Sequence, residues 1–226
     1  MSSHPWRITT DPEAPIPRQP ETNLADWTIW LSLKIAARFV SKIWPQASRN
    51  LLHYLGNTGK PLRQDLSRML IEVHEFRSRV DEYKLEIARR SFQQYECLKL
   101  GVQAIFGFQS RWMKFTSHDY RHTDWFLALG DWEYQLTGYT VVFPSEVGLV
   151  LSCIIVARIS IRDCYDWDCG PRTNLGLFSI PNRLPARLQR LGIAKEFVMH
   201  GDAIVISKMQ QSECGEAAAC DSVRPA

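Results

Sequence analysis

Residues 147–167 read VGLVLSCIIVARISIRDCYDW, and the fold turns on how this run is taken. It is too rich in valine and isoleucine for an ordinary surface helix. From Ala157 it alternates: Ala157, Ile159, Ile161, Asp163, Tyr165 and Trp167 share one face, with Arg158, Ser160 and Arg162 on the other. The run is therefore a strand with a core-facing row. Asp163 continues that row, where a carboxylate is costly unless it is paired or bound to a metal.

Working outward, the sequence on either side keeps the β character. WFLALG at 125–130 reads as a short apolar strand. In the next strand Trp132, Tyr134 and Leu136 share a face, and after Thr137-Gly138 the apolar parity shifts to Tyr139, Val141 and Phe143, which predicts a β-bulge at the glycine. Cys169–Pro185 reads as a Gly/Pro/Asn-rich loop, Leu184–Leu191 as a short helix ended by Gly192, and Glu196–Ile206 as a strand or a hairpin around Gly201-Asp202. Toward the N-terminus the period becomes helical. Asp26 is expected to cap a helix to about Trp44, stopped by Pro45; further helices are expected at about 62–73 and 80–106. The expected fold class is α+β, a helical N-terminal half packed on a β-rich C-terminal half whose sheet is twisted and antiparallel or a half-barrel. The expected organisation is a mobile Pro-rich leader (1–25), a helical region (26–115), a β-rich region carrying the activity (116–208) and a disordered tail (209–226).

The chain has 226 residues, 45% of them hydrophobic, enough for a sizeable core in one domain or two small ones. Net charge is +3 from 27 basic and 24 acidic residues, too balanced to make nucleic acid the expected partner. The leader MSSHPWRITTDPEAPIPRQPETN lacks an apolar stretch after a basic start, so the expectation is a cytoplasmic location in the producing cell, or export that uses no standard signal peptide. The six cysteines form no CxxC pair, and Cys164 and Cys169 lack two further ligands for zinc; a reduced chain is expected, with Cys97 and Cys153 in apolar surroundings. In the 26–44 helix Lys34, Arg38 and Lys42 recur every fourth residue beside Trp27, Trp30, Leu31, Ile35 and Phe39. That pattern suits either an anionic membrane surface or packing onto the protein's own core or a partner.

Three carboxylates, Asp163, Asp166 and Asp168, fall within six residues. Oxygen donors of this kind suit a hard cation such as Mg2+. Joint ligation requires the chain to turn near Asp166, which Gly170-Pro171 favours. Tyr165 and Arg172 add a hydroxyl donor and a phosphate-matching fork, and Asp163 is the candidate general base. The plainer alternative pairs the acids with Arg158, Arg162 or Arg172 in a structural ion cluster. A second cluster, His118, Asp119, His122 and Asp124, has zinc-like His spacing but lacks the glutamate of HExxH and reads as a surface loop. Gly56-Asn57-Thr58-Gly59-Lys60 is a turn without the phosphate-loop spacing.

The DxYD motif at Asp163, Tyr165 and Asp166, with an arginine, a short helix and a closing strand after it, resembles the activity domain of colicin M-type bacteriocins over about the last third of the chain. The resemblance implies Mg2+-dependent cleavage of the undecaprenyl lipid II precursor at its phosphate linkage, with Asp163, Tyr165 and Asp166 in the active site. Here Asp168 stands where that family has asparagine, and Arg172-Thr173 where it has a His-Arg pair. HYLGNTG and WFLALG also resemble segments of uncharacterised bacterial effector-like proteins. The resulting expectation is a toxin- or effector-like protein with a metal-assisted phosphoester or pyrophosphate hydrolase site and a lipid-linked phosphate substrate. The alternative is a non-enzymatic protein that binds a protein partner or a membrane surface.

Overall fold

The computed structural model of the protein describes residues 21–98, 101–116, 123–144, 151–167, 172–175 and 178–214. The fold is α+β, with an open sheet rather than a closed barrel. Strand β5 (Leu151–Tyr165) is the predicted run, and its burial alternates as its sequence does. Cys153, Ile155, Ala157, Ile159 and Ile161 are all sealed from solvent. On one side β5 pairs antiparallel with β4 (Asp131–Pro144), and on the other with β8 (Phe197–Gln210). The strand order is β1 (Leu62–Arg63), β8, β5, β4, β2 (Ala104–Gln109), with β3 (Met113–Thr116) on β4 beside β2. Only β1 runs parallel to its neighbour.

The bulge lies elsewhere than predicted. Pairing of β4 with β5 runs without a break from Glu133↔Arg162 to Pro144↔Leu151, straight through Gly138. The interruption is on the far side of β4, where residues 110–112 stand opposite 135–136, between Gln109↔Thr137 and Met113↔Tyr134. Ser110 mends it: its N–H donates to the Leu136 carbonyl, and its Oγ accepts from the Leu136 N–H. Tyr139, Val141 and Phe143 thus belong to the outer face, while Thr140 and Val142 stay buried. Gly138 serves close approach instead, since a Cβ there would stand 2.0 Å from the Val156 carbonyl oxygen.

The helices are α1 (Leu24–Val40), α2 (Pro45–Leu55), α3 (Leu66–Glu72), α4 (His74–Leu98), α5 (Thr123–Leu129) and α6 (Arg183–Arg190). α4 lays Phe76, Val80, Ile87, Ala88 and Phe92 against the inner face of the sheet. Phe76 meets Phe115, Trp132 and Tyr134 edge-on, with ring centroids 5.2–5.4 Å apart.

Several expected elements change. Asn23 caps α1, and Asp26 is the third residue of a capping box rather than the cap. α1 ends at Val40 with Ser41 as its C-cap, short of the expected Trp44, and Pro45 opens a further helix, α2, since proline suits a helix's first position. The 62–73 helix begins as β1, and residues 104–106 join a strand rather than extending α4. WFLALG is helical, because α5 sits on α2 instead of in the sheet. Residues 197–210 form one strand with no hairpin: Gly201 lies where Gln64 crosses, and a Cβ would come within 2.9 Å of the Gln64 carbonyl. Within the expected loop, Arg172–Leu175 and Phe178–Pro181 pair as a small hairpin, β6 and β7.

α5 also holds α2 in place. The Asp124 carboxylate accepts from the N–H groups of Gln46 (3.1 Å) and Ala47 (2.8 Å), an N-terminal cap supplied from another helix. Asp124→Ala should therefore lower unfolding stability by about 2 kcal/mol in urea titrations, the upper range for a lost cap.

Candidate active site

Asp163 stands where β5 leaves the core. Two residues earlier on its face lies buried Ile161, and two later Tyr165. The α5–β4 junction, Phe126–Asp131, forms the facing wall of a cleft of about 410 Å³, whose other lining is Asp163–Trp167 and Asn182. The strand end supplies the carboxylate and the short helix supplies an apolar wall.

That wall sets the carboxyl's chemistry. Burial, together with the charges of Asp166, Asp131 and Glu133, pushes Asp163 up to about 7, opposed only by a hydrogen bond with the backbone of Cys164. The structural ion-pair reading finds no support in the two nearby arginines of β5. Arg158 pairs with Asp202 at 3.2 Å, and Arg162 pairs with Glu133 at 2.7 Å and lies over the Trp112 ring. Asp131 is paired with Lys114 at 2.6 Å. Among the described residues no basic side chain forms an ion pair with Asp163. A carboxyl that titrates near neutrality at the rim of a cleft can take up or release a proton there.

The other predicted residues divide. Asp166, just past the strand, is exposed and lines the same cleft. Tyr165 is buried: its ring stacks on Phe197 (centroids 5.0 Å) and meets Tyr54 edge-on (5.8 Å). Burial raises its hydroxyl well above the ordinary tyrosine value, so it is a neutral group in an aromatic cluster. The backbone of Arg172 opens β6, but its side chain lies outside the described residues, as do Asp168, Cys169, His118, Asp119 and His122.

Three groups here escaped the sequence reading. Asp131 comes from a different strand, Asn182 from the start of α6, and Glu196 from just before β8. Cys164, Asp166 and Glu196 place one ligand atom each within 4.8 Å of one another. Burial and the neighbouring acids push the Cys164 thiol up to about 11, so it stays protonated at neutral pH and is no ready ligand. Cys97 is exposed rather than set in apolar surroundings; neither it nor Cys153 nor Cys164 is disulfide-bonded.

No protein-family model matches the chain, and no curated protein does. Among solved structures, it is similar to PaeM, a colicin M-like bacteriocin produced by Pseudomonas aeruginosa, at 13% identity and a TM-score of 0.38. The match covers 73% of this chain and 50% of that one, so the chain spans about half of PaeM's length. The likeness is one of fold, and it is weak.

Proposed function

We propose that this is a toxin- or effector-like hydrolase that cleaves a phosphoester or pyrophosphate linkage, with Asp163 as the central group. One observation carries the reading. A carboxylate ends a core row at a cleft, and no described cation neutralises it. An acid held in that way costs stability, and such costs gather where chemistry needs them.

In this reading Asp163 takes a proton from the attacking water or hydroxyl. Asp166, on the same cleft, keeps the field negative so that the proton is held. The apolar wall from Phe126 to Leu129 limits water at the reacting centre. Tyr165 fixes the strand end through its aromatic packing and leaves proton transfer to the carboxylate. The donor set also fits Mg2+: Asp163 and Asp166 are hard oxygen donors that repel one another, a repulsion a divalent ion relieves, and Asp168 is the proposed third donor. Bound there, the ion would neutralise phosphate charge. The proposed substrate is a lipid-linked phosphate.

The test is product release from lipid-linked pyrophosphate and simple phosphodiester substrates by the full chain, with and without Mg2+. The expected result is Mg2+-dependent turnover of the former that falls at least about a hundredfold in Asp163→Asn, in line with loss of a general base. Absence of turnover by the parent on every substrate would overturn the reading.

A further inference from the structure

The face that α1 turns away from the protein is not a polar one. Leu33, Ala37 and Val40 face inward, and Asp26 turns in to Arg187 of α6. Outward, Trp27, Leu31 and Ile35 recur every fourth residue, and Leu24 and Ile43 extend the row at its ends. Leu31 is 51% exposed, Ile35 58% and Ile43, in the turn after the helix, 68%. An apolar row of this length in a water-facing position is uncommon.

Charge states what it fits. Lys34, Arg38 and Lys42 each lie three residues beyond Leu31, Ile35 and Phe39, so they form a second row directly alongside the first. Lys34 rests its ammonium over the Trp30 ring at 3.7 Å, with its stem along the helix surface. Among the described residues none of the three is in an ion pair. The imbalance extends to the neighbouring helices. Arg49 of α2 and the three arginines of α6 bring the total on α1 and its turn, α2 and α6 to seven basic residues, against one acid, the inward-turned Asp26. The chain as a whole carries only +3. This group of helices is cationic and apolar, whereas Asp131, Asp163 and Asp166 gather at the cleft.

We infer that α1 docks the protein on an anionic phospholipid surface. The helix lies in the interfacial plane, with Trp27, Leu31, Ile35 and Ile43 entering the headgroup–acyl boundary and the basic row held at the phosphates. A row of aliphatic and tryptophan side chains bordered by lysine and arginine is the pattern such surfaces select. No helix among the described residues is long and apolar enough to cross a membrane, so the contact is a surface one. It holds whether or not the cleft is catalytic.

The experiment is sedimentation of the full chain with vesicles of phosphatidylcholine alone or mixed with phosphatidylglycerol, at low and high salt. Binding is expected only to the mixed vesicles and is expected to fall steeply with salt. Replacing Lys34, Arg38 and Lys42 together by glutamine should weaken partitioning roughly a hundredfold, about fivefold per charge. Leu31→Ser with Ile35→Ser should weaken it at least tenfold while leaving the melting temperature unchanged, since both positions are exposed. Failure to bind mixed vesicles overturns the inference, as does binding that neither variant reduces. A dimer in light scattering that Leu31→Ser/Ile35→Ser dissociates, with no vesicle binding, overturns it in favour of a second copy of the chain.

Discussion

Gly138→Ala is expected to cost about 3 kcal/mol or more and to leave little folded protein at physiological temperature. The added Cβ would lie 2.0 Å from the Val156 carbonyl oxygen and 3.1 Å from the Ala157 Cα, so two backbones would have to part. They have no room to do so. Gly138 sits midway along an uninterrupted ladder between β4 and β5, and the strand on its other side, β2, is paired at the same place. The neighbouring Gly107→Ala is the control: its Cβ would meet nothing nearer than 4.0 Å, and the change should be close to neutral. Urea unfolding of both variants checks the pair. Equal stabilities would mean that the strands part more readily than the register implies.

Asp163→Asn should raise stability, and the gain should depend on pH. The folded carboxyl titrates at about 7 against an ordinary value of 3.8. Below about 4 the group is protonated in both folded and unfolded chains and contributes nothing. Between there and 7 the folded state keeps a proton that the unfolded state releases, so stability falls as pH rises. Above 7 the full cost is present. Without screening that cost would be about 4 kcal/mol, and partial exposure at the cleft rim brings it to about 2 kcal/mol. The asparagine variant should therefore melt higher than the parent at pH 8 and equally at pH 4, while any hydrolysis disappears. A variant that melts lower at pH 8 would mean that Asp163 neutralises a buried cation, and the site would be a structural ion pair.

How much of this was legible depends on which force decided each element. β5 was readable because its sequence alternates and its burial follows, so Asp163's place on the core row came with it. The α+β class followed from the change of period along the chain. WFLALG misled because an apolar hexamer carries no period of its own; its helix is fixed by packing on α2 and by Asp124's reach to Gln46 and Ala47. The parity change at Tyr139 implies a bulge only if Tyr139, Val141 and Phe143 are buried. Here they lie on the outer face of the sheet. The candidate site was half visible. Asp163 and Asp166 are local in sequence, whereas Asp131, Asn182 and the α5 wall are brought to them only by tertiary contacts. The inward turn of Tyr165 follows from its place on the same core-facing row as Ile159 and Ile161.

The position of β8 has a consequence for how the molecule comes to be made. It is the last strand among the described residues, yet it lies between β1 and β5 rather than at a margin. While the chain emerges from the ribosome, everything up to residue 196 exists before the strand that joins its N-terminal part to β5. Until then β5 offers an unpaired flank with Ile155, Ile159 and Ile161 beside it, the kind of surface that captures other nascent chains. Folding must wait for the closing segment, and its pairing with β1 then has to bring Met199 back to Leu62 across most of the described chain, which is a slow search. Chains released early should accumulate as aggregates or on holding chaperones rather than as a smaller folded domain.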